Sequence, residues 1–70
     1  MDDVYVDGEY IVFKIPEDFA DEDYEVALDR CSTPEAIHEW VRHLKPKKWV
    51  TEPMIQRFVQ LATQHHGISI

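Results

Sequence analysis

Along this chain apolar and polar positions alternate first at period two and later at a period near 3.6, and the change falls close to Ser32. The segment "VYVDGEYIVFKI" carries the clearest alternation. Asp7-Gly8 lies between its two runs, and that residue pair suits a two-residue type I′ turn, whose central positions both need positive φ. Such a turn pairs Val6 with Glu9, Tyr5 with Tyr10 and Val4 with Ile11. One face of the predicted hairpin then carries Val4, Val6, Ile11, Phe13 and Ile15 as its core side. Tyr5, Tyr10, Val12 and Lys14 form an amphipathic outer side, where a Tyr5–Tyr10 pair would brace the ladder. Pro16 ends the second strand, because it has no N–H to give a central ladder.

Two periods compete in "EDFADEDYEVALDRC". At period two, Tyr24, Val26 and Leu28 alternate with Glu25, Ala27 and Asp29; at period 3.6, Phe19, Ala20, Tyr24, Ala27, Leu28 and Cys31 form a stripe. An isolated hairpin is marginally stable and a third strand completes a sheet, which favours an acidic loop over 16–22 followed by a strand from about Asp23 to Asp29. The helical reading of 19–31 stays open at this level.

The second half of the chain reads as two helices. Ser32 or Thr33 can cap the first, with Pro34 in its opening turn and Ser32 and Glu35 spaced as a capping box. Ile37, Trp40, Val41 and Leu44 then share one face, and Pro46 breaks the helix within "KPKKWV". Thr51 caps the second, with Glu52 and Pro53 in its first turn. Its buried face is expected to hold Ile55, Phe58, Val59 and Ala62, joined by Met54 and Leu61. Gly67 is the natural stop, leaving "ISI" as a frayed tail or a short extra strand. The fold class that follows is α+β: a three-stranded antiparallel sheet with two helices packed on one face, forming a single domain over residues 1–70.

Charge adds what periodicity cannot. The net charge is −7, yet residues 1–31 hold eleven Asp and Glu against Lys14 and Arg30, which is −9, and residues 32–70 come to +2. Within "PEDFADEDYE" six of ten positions are carboxylates. Side chains two apart on a strand project from one face about 6.7 Å apart, a spacing comparable with that of neighbouring phosphates on a nucleic-acid strand. Asp23, Glu25 and Asp29 would form such a row, continued in the loop by Asp18, Asp21 and Glu22, with Asp2, Asp3, Asp7 and Glu9 extending it from the hairpin. Phe19, Tyr5 and Tyr10 are the candidate apolar anchors. A surface of this kind would attract the cationic groove of a nucleic-acid-handling protein or complex; a solvated face that only keeps the chain soluble has the same composition.

Other chemistries fare worse. The chain has one cysteine, Cys31, so no intramolecular disulfide framework is possible, and "MDDVYVDG" has no cationic start or apolar leader, so a cytoplasmic location is expected. No apolar run approaches the ~20 residues of a membrane span. His38 and His43 are five apart and His65 and His66 adjacent, neither being the spacing of a helical zinc site, so neither metal nor cofactor is expected. His43, His65 and His66 instead fall near helix C-termini, where they complement the macrodipole. Nothing orients a base against Cys31, which is expected to pack as a small buried residue, and an enzyme is not expected. A helix-turn-helix reader would use Lys45, Lys47, Lys48 and Trp49 with Gln56, Arg57, Gln60, Thr63 and Gln64. The overall acidity leaves too few cations for the phosphates of a typical site.

Taken together, "PEDFADEDYE", the Asp-Gly hairpin and the minimal two-helix layer make the chain resemble the small acidic proteins carried by phages and mobile elements, anti-CRISPR proteins among them. The resemblance implies a non-enzymatic inhibitor that imitates nucleic acid or occludes a nuclease or defence complex. It rests on size, charge and economy of fold and carries over no individual residue. A different class of function, a structural or regulatory adaptor that dimerises through the apolar hairpin face or the tail, fits the same sequence.

Overall fold

The computed structural model describes residues 3–16, 18, 19 and 23–68. Strands β1 (Val4–Asp7), β2 (Tyr10–Phe13) and β3 (Tyr24–Ala27) form an antiparallel meander in that order, followed by a 3-10 turn (Leu28–Cys31), helix α1 (Pro34–Leu44) and helix α2 (Glu52–His66). The α+β architecture read from the sequence is the one observed.

The hairpin register differs from the expected one. Asp7 pairs with Tyr10, Val6 with Ile11, Tyr5 with Val12 and Val4 with Phe13, so the turn is Gly8-Glu9 and the Tyr5–Tyr10 pair does not form. Gly8 sits first in the loop with φ 63°, and no non-glycine residue described has positive φ. That is the demand of a type II′ turn, which asks left-handed geometry of one residue instead of two. A type I′ turn over Asp7-Gly8 would force Asp7 to positive φ at a steric cost that glycine does not bear. The slip moves each partner by two residues, so side chains keep their faces. Val4, Ile11 and Phe13 are buried on the helix side as expected, whereas Val6 remains exposed and Ile15 only half-buried.

Strand β3 is shorter than the expected 23–29. Val26 and Leu28 are both buried, but the chain leaves the sheet after Ala27 and Leu28 opens the 3-10 turn. The inward direction of Leu28 is kept while Asp29 departs from the strand. Cys31 closes this turn, fully buried, its thiol 3.4 Å from the Leu28 carbonyl.

Helix α1 is capped by Thr33, whose Oγ1 accepts from the Ala36 N–H at 3.1 Å. Ala36 therefore takes the position that a capping box gives to Glu, and the Ser32–Glu35 box does not form. Thr51 Oγ1 caps α2 in the same way, accepting from the Met54 N–H at 3.3 Å. Gly67 ends α2 with φ 64°, and its N–H and that of Ile68 both reach the Thr63 carbonyl, the left-handed ending that glycine permits. Residues 69 and 70, part of the expected tail, lie outside the described residues.

Both helices cover the same side of the sheet. One cluster joins Val4, Ile11, Phe13 and Val26 to Leu28 and Cys31, Ile37 and Leu44, and Met54, Phe58 and Ala62. At its centre the Phe13 ring lies 5.6 Å from Phe58 and 5.8 Å from Trp49, and Tyr24 bridges Trp49 and Trp40 at 5.6 and 6.4 Å. These edge-on and tilted contacts add to area burial in a core too small to waste an aromatic side chain.

Candidate protein-docking site

With both helices on one side, the other side of the sheet is left open. Register decides what it displays. Tyr5, Val12 and Glu25 form one cross-strand row, and Asp7, Tyr10 and Ala27 form the next. Asp23 stands one step before β3 on the same parity as Glu25, and Tyr5, Asp7, Val12, Asp23 and Glu25 line a shallow depression of about 460 Å³. Val12, between Tyr5 and Glu25 in the ladder, is only 4% exposed. Tyr10, at 46% exposure, stands clear of the sheet.

Lys14 is the one cation that the strand parity brings to this face, next to Asp23 in the ladder, and no ion pair among the described residues engages these carboxylates. Among the described residues the one ion pair is the exposed Arg42–Glu39 contact on α1, far along the chain from the sheet face. Asp7, Asp23 and Glu25 present their charge around a floor made by Tyr5 and Val12.

Of the residues expected to form a docking surface, Tyr5, Tyr10, Asp23 and Glu25 are brought to this face. Asp29 is not: the 3-10 turn carries it to a separate depression lined by Gly8, Glu9, Leu28, His65 and His66. Asp18 and Phe19 lie exposed on the bend after Pro16, where the Phe19 N–H donates to the Pro16 carbonyl, and neither lines the sheet depression. Phe19 is 54% exposed, so it does not tether this bend to the core. Asp21 and Glu22 lie outside the described residues, as does Asp2. Asp7 was expected only as an extension of the acidic row from the hairpin, and Val12 was not expected in the site at all. Asp7 carried a signal as a charge of the right parity beside the turn, while Val12 carried none, since an apolar outward position reads simply as part of an amphipathic strand.

Several polar groups outside this face are held in contacts within the fold. His43 and the pair His65 and His66 occupy the last turns of their helices. His66 Nε2 lies 2.6 Å from the Leu28 carbonyl, a bond that requires the ring proton on Nε2 and that ties the end of α2 to the 3-10 turn. Burial pushes the Cys31 thiol upward, and the charge of Asp29 adds to it, so the thiolate a nucleophile needs is disfavoured. No three His, Cys, Asp or Glu side chains among the described residues come together in a way that could hold a metal ion. Trp49 packs inward on Phe13 and Tyr24, Lys47 Nζ lies 5.2 Å from the centre of the Tyr24 ring, and the Arg57 guanidinium donates to Gln60 Oε1 at 3.1 Å. The loop and helix face that a helix-turn-helix reader would use are thus partly occupied with internal contacts. No helix among the described residues is long and apolar enough to cross a membrane.

No family model, curated protein or solved structure matches the chain.

Proposed function

We propose that the chain is a non-catalytic binding protein whose open sheet face docks on a basic surface of a nucleic-acid-handling protein, a nuclease being the simplest case, and blocks it. The observation behind this reading is the set Asp7, Asp23 and Glu25, in no ion pair among the described residues, around Tyr5 and Val12 with Tyr10 exposed beside them, on the side of the sheet away from the helices. Long-range attraction between such a face and a cationic groove raises the association rate and orients the encounter. The tyrosines provide the desolvated anchors from which affinity is built. Occupying the groove excludes the phosphates that it would otherwise bind.

The test compares the wild-type chain with the triple variant Asp7→Lys, Asp23→Lys, Glu25→Lys. Each is used for affinity capture from host extract, captured proteins are identified by mass spectrometry, and their DNA binding is measured with each chain added. Proteins held by the wild type are expected to bind nucleic acid, to lose it when the wild type is added, and to keep it with the variant. Equal capture by both chains, or captured proteins whose nucleic-acid binding is untouched, would overturn the proposal.

A further inference from the structure

We infer that the outer edge of β3 is where this docking begins, and that it accepts an extended partner segment in which Lys or Arg alternates with apolar residues, adding a fourth strand to the sheet. The inference rests on the docking reading above and names the form its partner takes.

Backbone parity carries it. The Lys14 N–H donates to the Asp3 carbonyl at 2.7 Å and the Leu28 N–H to the Glu9 carbonyl at 2.8 Å. In an antiparallel ladder hydrogen-bonded and non-bonded pairs alternate, so these two bonds fix the rest. Even positions of β2 bond to β1 and odd positions bond to β3. Tyr24 and Val26 therefore point their backbone groups at β2, while Glu25 directs its N–H and C=O, and Ala27 its N–H, away from the sheet. No described group takes those three. An edge of this kind is a ready template for another strand.

The side chains then choose the partner. Asp23, Glu25 and Ala27 share the open face, so an incoming strand would set its own residues directly opposite them on that face. Opposite Asp23 and Glu25 the complement is cationic. Its intervening residues would lie on the helix side against the rim formed by Tyr24 and Trp40, whose rings are 6.4 Å apart, and there the complement is apolar. A second copy of the chain is a poor occupant, because antiparallel pairing of two β3 edges centred on Glu25 sets carboxylate against carboxylate, and the register that sets Glu25 opposite Ala27 leaves only two bonded pairs within the strands. The edge of β1 lacks this selectivity. Its outward backbone belongs to Val4 and Val6, and its open-face carboxylates, Asp3 and Asp7, are four residues apart with Tyr5 between them, where Asp23 and Glu25 are two apart.

The probe is the acetylated, amidated peptide Thr-Val-Lys-Val-Lys-Val-Thr, which has the same pattern in either direction. Two derivatives keep its charge: one N-methylated on both lysine backbone nitrogens, which face β3 in an antiparallel docked strand, and one N-methylated on the two outer valines, whose nitrogens then face solvent. Binding is followed by amide NMR on the intact wild-type chain. The expected result is shifted and exchange-protected amides at Glu25 and Ala27, affinity lost at least about tenfold on lysine methylation, and affinity kept on valine methylation. Equal binding of both derivatives would show attraction by charge alone and overturn the edge inference while leaving the acidic-face reading standing. Absence of binding by the parent peptide, perturbation centred on Val4 and Val6, or protection of Glu25 and Ala27 in a peptide-free dimer would each overturn it too. No variant of the chain is needed, so impaired folding cannot imitate any outcome.

Discussion

The two faces of one small sheet are made from the same strands and obey opposite rules. On the helix side Val4, Ile11, Phe13 and Val26 are all but inaccessible to water, and each touches side chains from other elements. On the open side Val12 alone is buried, while Tyr10, Asp7 and Glu25 meet solvent. The first face is shaped by volume and tolerates little change. The second is shaped by charge and backbone access, which stability barely constrains.

The comparison can be broken most severely at Phe13. Phe13→Ala removes the ring that Phe58, Trp49 and Tyr24 pack against and is expected to cost about 3–5 kcal/mol, enough to unfold a chain of this size in denaturant titration or thermal melting. At the open face the same kind of truncation is milder. Val12→Ala loses two methylenes' worth of burial and is expected to cost about 1.5 kcal/mol, read as a lower urea midpoint with unchanged slope. Charge reversal by Glu25→Lys should leave stability within about 0.5 kcal/mol, because the site is exposed and its carboxylate has no ion pair among the described residues. If Glu25→Lys proved as destabilising as Phe13→Ala, the division between the faces would fail.

The smallest effect concerns pH. Folding raises the Cys31 thiol above its ordinary value of 9.0. The unfolded chain therefore releases this proton first, so the contribution is complete below that value and is lost as pH rises through it toward the folded-state pKa. Melts of the wild type and Cys31→Ala should therefore converge or cross as pH is raised from neutral into that range. Parallel curves would mean that the thiol is no more buried than in the unfolded chain.

Much of this division is legible in the sequence, and the errors have identifiable physics. Alternation assigned Val4, Ile11 and Phe13 to one face and Tyr5, Tyr10 and Val12 to the other even though the register was two residues out, since such a slip preserves parity. The turn itself was misread because Asp7-Gly8 satisfies a familiar pair rule, whereas glycine in the first loop position needs left-handed backbone only once. Asp29 was placed in the acidic row because Leu28 points inward whether it belongs to a strand or to the 3-10 turn; apolar spacing cannot separate those cases. The depression at Val12, and the free N–H and C=O of Glu25, depend on which strands are neighbours and on the phase of their hydrogen bonds, properties of pairing that one strand's sequence does not contain.

The cover over β1 has a consequence for biosynthesis. Helix α2 packs on β1 and β2, yet its last residue follows Val4 by a stretch that takes a ribosome about 3–12 s to make at 5–20 residues per second. Throughout that interval the hairpin is outside the finished core, with Val4, Ile11 and Phe13 uncovered. The hairpin that must wait lies within the first 31 residues, which together carry −9. Like charge then opposes the pairing of two such unfinished hairpins at contact distance, the range over which salt leaves it effective.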